Sequence, residues 1–194
     1  MTRRLLDLLS SRRGHFRLES GHHGELWLEL DALFERPALL APFLAELGDR
    51  LAGHAIDAVC GPVTGGAFVA LAIAQRHDLR FYPAERIADP AGVHYRVPAA
   101  LRAHLAGARI AIVDDVINAG SAARATLAEL RAHGADVRAL GGLAVLGSHA
   151  ARLGLPIETT LALDNTLWSP EQCPHCRAGI PLEDLVPGAP GRAH

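Results

Sequence analysis

Arg109-Ile110-Ala111-Ile112-Val113-Asp114-Asp115-Val116-Ile117-Asn118-Ala119-Gly120-Ser121-Ala122-Ala123 is the stretch on which the fold turns. Ile110 to Val113 is a short, unbroken apolar run of the kind that forms a strand buried on both faces. Two adjacent carboxylates, Asp114 and Asp115, end it, and a small-residue turn leads into a helix expected from Ser121 onward. At a strand-to-helix junction of a parallel sheet, unpaired backbone N–H groups point outward at the helix N-terminus and form an anion site. Asn118, Ala119, Gly120 and Ser121 have no bulk to keep a phosphate away. Two acids beside that site would repel a bare phosphate. The arrangement makes sense if they bind another part of the same ligand, such as sugar hydroxyls or a metal ion.

Upstream, Ile56 to Cys60 reads as a second short strand. It runs into Gly61-Pro62-Val63-Thr64-Gly65-Gly66, and an apolar helix is expected over Ala67 to Gln75. Gly65 and Gly66 let the backbone approach phosphate oxygens without a Cβ in the way. Before this strand, Pro37 is placed to start a helix whose buried side is Leu40, Phe43, Leu44, Leu47 and Leu51. Residues 3–13 suggest an amphipathic helix with Leu5, Leu6, Leu8 and Leu9 on one side. His15 to Asp31 reads as two short strands around a Gly-marked turn, with Leu26, Leu28 and Leu30 alternating against Trp27 and Glu29.

Downstream of the Gly-Gly helix, Leu79 to Pro83 is a further strand. Residues 84–96 have no clean period, and Pro90 and Gly92 argue for a mobile loop. After the central stretch come a helix over Ala123 to His133 ended by Gly134 and a strand over Val137 to Leu146. Gly141-Gly142 inside that strand reads as a close-packing point. Ile157, Thr159, Leu161 and Leu163 alternate as another strand.

The chain has 194 residues, 49% hydrophobic and 21% charged, enough for one α/β domain with a sizeable core. All 19 positive residues are arginine, and the net charge of −2 argues against a nucleic-acid surface. No apolar run reaches membrane-spanning length, and Met1-Thr2-Arg3-Arg4 does not lead into a signal-peptide core, so a cytoplasmic protein is expected.

Strand, acid pair and small-residue loop, in this order, resemble the signature of the type I phosphoribosyltransferases. Within that family the chain is most similar to the orotate phosphoribosyltransferases, over about residues 5 to 165. The resemblance implies an α/β fold: a mostly parallel sheet, helices on both faces, and a small N-terminal hood. The hood would occupy about 1–35 and the core about 36–166, giving a 1–166 domain followed by a 167–194 tail. It implies Mg²⁺-dependent transfer of ribose 5-phosphate from phosphoribosyl pyrophosphate (PRPP) to a nucleobase, with release of pyrophosphate, in a homodimer.

Carried over by motif, Asp114 and Asp115 would hold the ribose hydroxyls. The PRPP site would continue through Val116, Ile117, Asn118, Ala119, Gly120, Ser121 and Ala122, the segment from Asn118 on taking the 5-phosphate. Gly61 to Gly66 matches the pyrophosphate loop, with Thr64, Gly65 and Gly66 as contacts. Phe16, Leu18, Ser20 and Gly21 match the hairpin over the base, and Phe16, Ser20 and Gly21 are assigned to it. His22 and His23 fit either a polar surface turn or a base contact. The segment 84–96 matches the catalytic loop, which in the family closes over the neighbouring subunit's substrate. Its lysines are absent here, leaving Arg86, His94 and Arg96 as catalytic cations.

Two further departures follow. Leu146-Gly147-Ser148-His149 stands where the family has Asp-Arg, and Asn118 stands where it often has Thr. Both residues meet the base in the family, so orotate turnover is expected to be weak. A PRPP-binding regulatory protein without turnover is the alternative reading. The tail carries Cys173-Pro174-His175-Cys176, half of a zinc knuckle. Tetrahedral zinc needs four ligands. Cys60, His175, His149 or a dimer partner's pair could complete the set, and a reduced structural pair or a redox-sensitive pair are the other readings.

Overall fold

The structure, a computed structural model, describes residues 5–18, 20–29, 31–90 and 92–184. Glu19 and Leu30, part of the hairpin reading, lie outside the described residues, as do residues 3–4 of the expected first helix.

The N-terminus departs from expectation. Among the described residues of that stretch only Leu5–Leu8 is helical, as one 3₁₀ turn, and the chain then enters strand β1, Ser10–Arg17. The leucine cluster mimics a helical face. Ser10 to Arg13, however, are exposed polar residues whose backbone is satisfied by pairing with β2, His23–Glu29. In β2, Leu26 and Leu28 are buried and Trp27 and Glu29 less so, the alternation of a one-sided strand. A short helix α1, Asp31–Glu35, and a 3₁₀ turn at Pro37–Leu39 precede helix α2, Ala41–Ala52. Pro37 starts the 3₁₀ turn instead of the helix itself, and Leu40, Phe43, Leu44, Leu47 and Leu51 are buried as read.

The core follows as β3 (Ala58–Pro62), α3 (Gly65–His77), β4 (Arg80–Asp89), β5 (Gly92–Arg96), α4 (Ala99–Arg102), β6 (Arg109–Ile117), α5 (Ser121–Ala132), β7 (Asp136–Leu146) and β8 (Ile157–Leu163). These strands form a six-stranded sheet, β5-β4-β3-β6-β7-β8, parallel except for β5. Strand β6 is central, and its alternation divides the core. Ile110 and Ile112 pack with Ala58, Cys60, Leu140, Leu127 and Leu130 under α5. Ala111 and Val113 pack with Val59, Leu143, Leu47 and Ile73 under α2 and α3. Helices therefore cover both faces. At Gly141 a Cβ would lie 2.9 Å from Leu51 Cδ1, which accounts for glycine where α2 crosses the sheet. Helix α5 ends in a Schellman motif, with Gly134 at φ 75° and Ala135 N–H donating to Leu130.

The segment 84–96, expected as an irregular loop, is a paired ribbon. The outer half of β4 pairs antiparallel with β5, from Glu85–Arg96 to Asp89–Gly92. The ribbon is exposed over most of both faces, which removes the apolar period that would have marked it as strand.

The tail is woven back into the hood. Strands β9 (Leu167–Trp168) and β10 (Glu183–Asp184) flank the N-terminal hairpin in the order β10-β1-β2-β9, with helix α6, Pro174–Arg177, between them. Leu26 and Leu28 of this second sheet pack on Leu146, seating the hood over the carboxyl ends of the core strands. No helix among the described residues is long and apolar enough to cross a membrane.

Candidate active site

A pocket of about 360 Å³ opens at the carboxyl ends of β3 and β6, where ligands bind in sheets of this kind. Its floor is the acid pair and the turn after it. Asp114 is 8% exposed, so it is not at an exposed strand end. The strand runs on past it, Val116 and Ile117 pairing with Ala144 and Val145. Each carboxylate is held by the next backbone amide: Asp115 N–H donates to Asp114 Oδ1 at 3.0 Å, and Val116 N–H to Asp115 Oδ1 at 2.8 Å.

The two loops meet at the acids. A Cβ at Gly66 would lie 2.5 Å from Asp114 Oδ1, and one at Gly65 would overlap the Asp115 carboxylate. Glycine is required there because backbone and carboxylates share one space. Beyond the acids, Gly120 stands at φ 72° as the N-cap of α5, with no side chain capping the helix. The first amides of α5 are therefore left to face the pocket, beside the small side chains of Ser121 and Ala122. The peptide between Val63 and Thr64 is cis.

The structure gathers most of the residues singled out from sequence. Asp114 through Ala122, Thr64, Gly65, Gly66, Arg86 and Ser20 all line the pocket. Phe16, Gly21, His94 and Arg96 do not. Phe16 is fully buried, its ring 6.0 Å from that of Trp27, so it backs the hood wall without facing the cavity. His94 lies 3.3 Å from Asp89, and Arg96 stands opposite Glu85 in the ribbon. His22 bonds Ser20 Oγ at 3.2 Å and is not on the wall.

Sequence reasoning misses Leu26, Trp27 and Leu28 of the hood wall, and also Tyr95 and Leu146. The alternation in β2 identifies it as a strand but not what it faces. Tyr95, 7% exposed between His94 and Arg96, is the inward residue of β5. Arg86 is the one basic side chain lining the pocket among the described residues.

The cysteine reading needs correction as well. Cys60 is buried in the sheet core, and burial, with Glu129 adding to it, pushes its thiol up to about 12. Neither it nor His149, whose ring neighbours that of His22, belongs to the donor group at the tail pair among the described residues. His23 is no surface residue: it is 4% exposed and meets His15, 2% exposed, at Cys173 and Cys176.

No family model matches the chain. Among curated proteins, it is 33% identical over 176 residues to the orotate phosphoribosyltransferase of Pelotomaculum thermopropionicum, covering 91% of this chain and 89% of that protein. It is 30% identical over 178 residues to that of Thermotoga maritima, covering 92% and 91%. Among solved structures, orotate phosphoribosyltransferase from Aeropyrum pernix superposes with a TM-score of 0.63 at 24% identity, over 79% of this chain and 88% of that one. Adenine phosphoribosyltransferase from Thermoanaerobacter pseudethanolicus gives 0.61 at 18%, over 71% and 88%. The structural likeness carries the fold and the sequence likeness carries the family: with its parallel sheet, acid pair and glycine loop, the chain belongs to the orotate phosphoribosyltransferase family and is a phosphoribosyltransferase.

Proposed function

We propose that the chain, as a cytoplasmic homodimer, transfers the 5-phosphoribosyl group of PRPP to a ring nitrogen of orotate and releases pyrophosphate. The bond from the sugar C1 to the pyrophosphate oxygen breaks, a C1–N bond forms, and the ring nitrogen's proton is released. The observation that carries the reading is the meeting of Asp114 and Asp115 with Gly65 and Gly66 at one end of a pocket and with the uncapped N-terminus of α5 at the other.

That spacing suits a ligand with two anionic ends and a hydroxylated middle. The amides of α5 take the 5-phosphate, the two carboxylates accept from the ribose hydroxyls, and the backbone of Gly65 and Gly66 meets the pyrophosphate. Because the sugar gains positive charge as the leaving group departs, the protein acts by holding the nucleophile in line and neutralising the pyrophosphate. The carboxylate oxygens form a hard donor set that fits Mg²⁺, and Asp114 and Asp115 would border the ion. When bound with PRPP, it spreads the charge of the leaving group.

Orotate brings a carboxylate, and leaving that charge in the pocket without a cation would cost several kcal/mol. Arg86 on the pocket wall supports a role as that cation or as a donor to pyrophosphate. It supplies one cation where the family's arginine and lysines are missing. The base lies against Leu26, Trp27 and Leu28 in this reading.

The test is pyrophosphate release from PRPP and Mg²⁺ over a panel of bases, with wild type and Arg86→Ala. Turnover is expected with orotate, and it is expected to fall by about 10²–10³ in the variant. PRPP binding without release on any base would favour the non-catalytic alternative. Faster release with a neutral base than with orotate would reassign the substrate.

A further inference from the structure

His15 and His23 come from adjacent strands of the N-terminal hairpin, and Cys173 and Cys176 from the start of α6 near the other end of the chain. One ligand atom from each lies within 4.8 Å of all the others. His15 Nε2 is 3.0 Å from His23 Nδ1, 3.3 Å from Cys173 Sγ and 3.7 Å from Cys176 Sγ, and Cys176 Sγ is 3.3 Å from His23 Nδ1. A tetrahedral zinc ion with its usual bond lengths sets about 3.3 Å between two nitrogen ligands and about 3.6 Å between nitrogen and sulfur. Four of the six donor–donor edges stand within about 0.3 Å of those lengths, and the other two are no longer than 4.8 Å.

The surroundings prepare the ligands. His15 Nδ1 lies 2.9 Å from the Ile180 carbonyl, which holds its proton on Nδ1 and turns the Nε2 lone pair inward, the outer support that metal-bound histidines need. The tail turns tightly about the cysteines: Arg177 N–H donates to the Cys173 carbonyl, Gly179 N–H to that of Cys176, and Gly179 takes φ 68°. His15, His23 and Cys173 are buried, and two of the four buried polar side chains among the described residues are these imidazoles.

We propose that His15, His23, Cys173 and Cys176 bind one zinc ion that fastens the C-terminal tail to the hood. Two thiols lose their protons to solvent on binding, and the two thiolates cancel the charge of the ion, so the unit is neutral. Sulfur with imidazole selects zinc over the hard ion that accompanies PRPP. The site stands apart from the pocket, and its role is architectural: β2 carries Leu26, Trp27 and Leu28 of the pocket wall and Leu18 directly follows β1, so the metal sets where that wall stands.

The test is elemental analysis of the full chain purified without chelator, together with X-ray absorption at the zinc edge. About one zinc per chain is expected, with a shell of two sulfurs and two nitrogens. Zinc should be lost in Cys173→Ser, Cys176→Ser, His15→Ala and His23→Ala and retained in Cys60→Ser and His175→Ala. Should the ligand variants fail to fold, the wild-type spectrum still decides. A four-sulfur shell would mean two cysteine pairs sharing zinc across a dimer, and would overturn the proposal. So would full zinc in His15→Ala or His23→Ala, or metal-free wild type with Cys173 and Cys176 reduced or joined as a disulfide.

Discussion

A methyl group at Gly65 has nowhere to go but into the carboxylate of Asp115, which is itself tied to the Val116 amide at 2.8 Å. Gly65→Ala should therefore swing that carboxylate away and weaken PRPP binding by about tenfold or more, which is about 1.4 kcal/mol. The melting temperature should barely change, because the clash is at a half-exposed loop and not in the core. Calorimetric titration with PRPP checks it, and unchanged affinity would mean that the acids do not touch the ribose. Away from the pocket, Asp57 just before β3 accepts from Nε of Arg109 at 2.9 Å, with a second bond from the same guanidinium. That pairing lowers the Asp57 pKa from 3.8 to about 2. A lowered carboxylate pKa stabilises the folded state above the unfolded value and loses that contribution as pH falls through the folded one. Asp57→Asn should be less stable than wild type at neutral pH, and the gap should close as pH falls from 3.8 to about 2. Urea midpoints across that range measure it. A gap independent of pH would show that the charge is irrelevant. Solvent screening keeps the effect modest, since both side chains are partly exposed.

The ribbon of β4 and β5 divides its residues by face. Arg86 and Tyr95 line the pocket of their own chain, whereas His94 and Arg96 flank Tyr95 and do not. We propose that in the homodimer these two side chains serve the partner's pocket. Arg96→Ala and Asp115→Asn should then each be nearly inactive alone and regain activity when mixed and allowed to exchange subunits, since one hybrid site has both groups intact. A mixture as inactive as its parts would confine the ribbon to its own subunit. Elements like this one also mark how far a sequence can be read. The core strands are legible because burial on both faces leaves an apolar run: Ile110 and Ile112 to one side, Ala111 and Val113 to the other. The ribbon has no such run, and β1 opens with Ser10, Ser11, Arg12 and Arg13, whose strand character comes from bonding to β2. The acid pair and glycine loop are local and legible. The contact between them, the Trp27 wall and the histidines that meet the cysteines depend on pairing between distant segments: His15 and Cys173 are 158 positions apart.

At the scale of the molecule, the two sheets differ in how they are closed. The core sheet is built from residues 58–163, whereas the hood sheet takes its inner strands from one end of the chain and its outer strands from the other. A chain ending at residue 166 lacks β9, β10 and both tail cysteines. It should keep a protected core while the amides of β1 and β2 exchange freely, because a two-stranded hairpin alone is marginal. Hydrogen exchange read by mass spectrometry measures this, and full protection of residues 10–29 would show the hairpin to be self-sufficient. The strand order β10-β1-β2-β9 also has a consequence for the order of events on the ribosome. The hairpin is synthesised before the core strands, yet both of its edges wait for strands that are synthesised after them. The core can fold while synthesis continues, but the hood cannot close until residues 167–184 have emerged. Through that interval β1 and β2 carry two open strand edges, a template for unwanted pairing with other nascent chains. Ser10 to Arg13, polar and bearing two adjacent arginines, stand where such an edge most needs charge to keep it solitary.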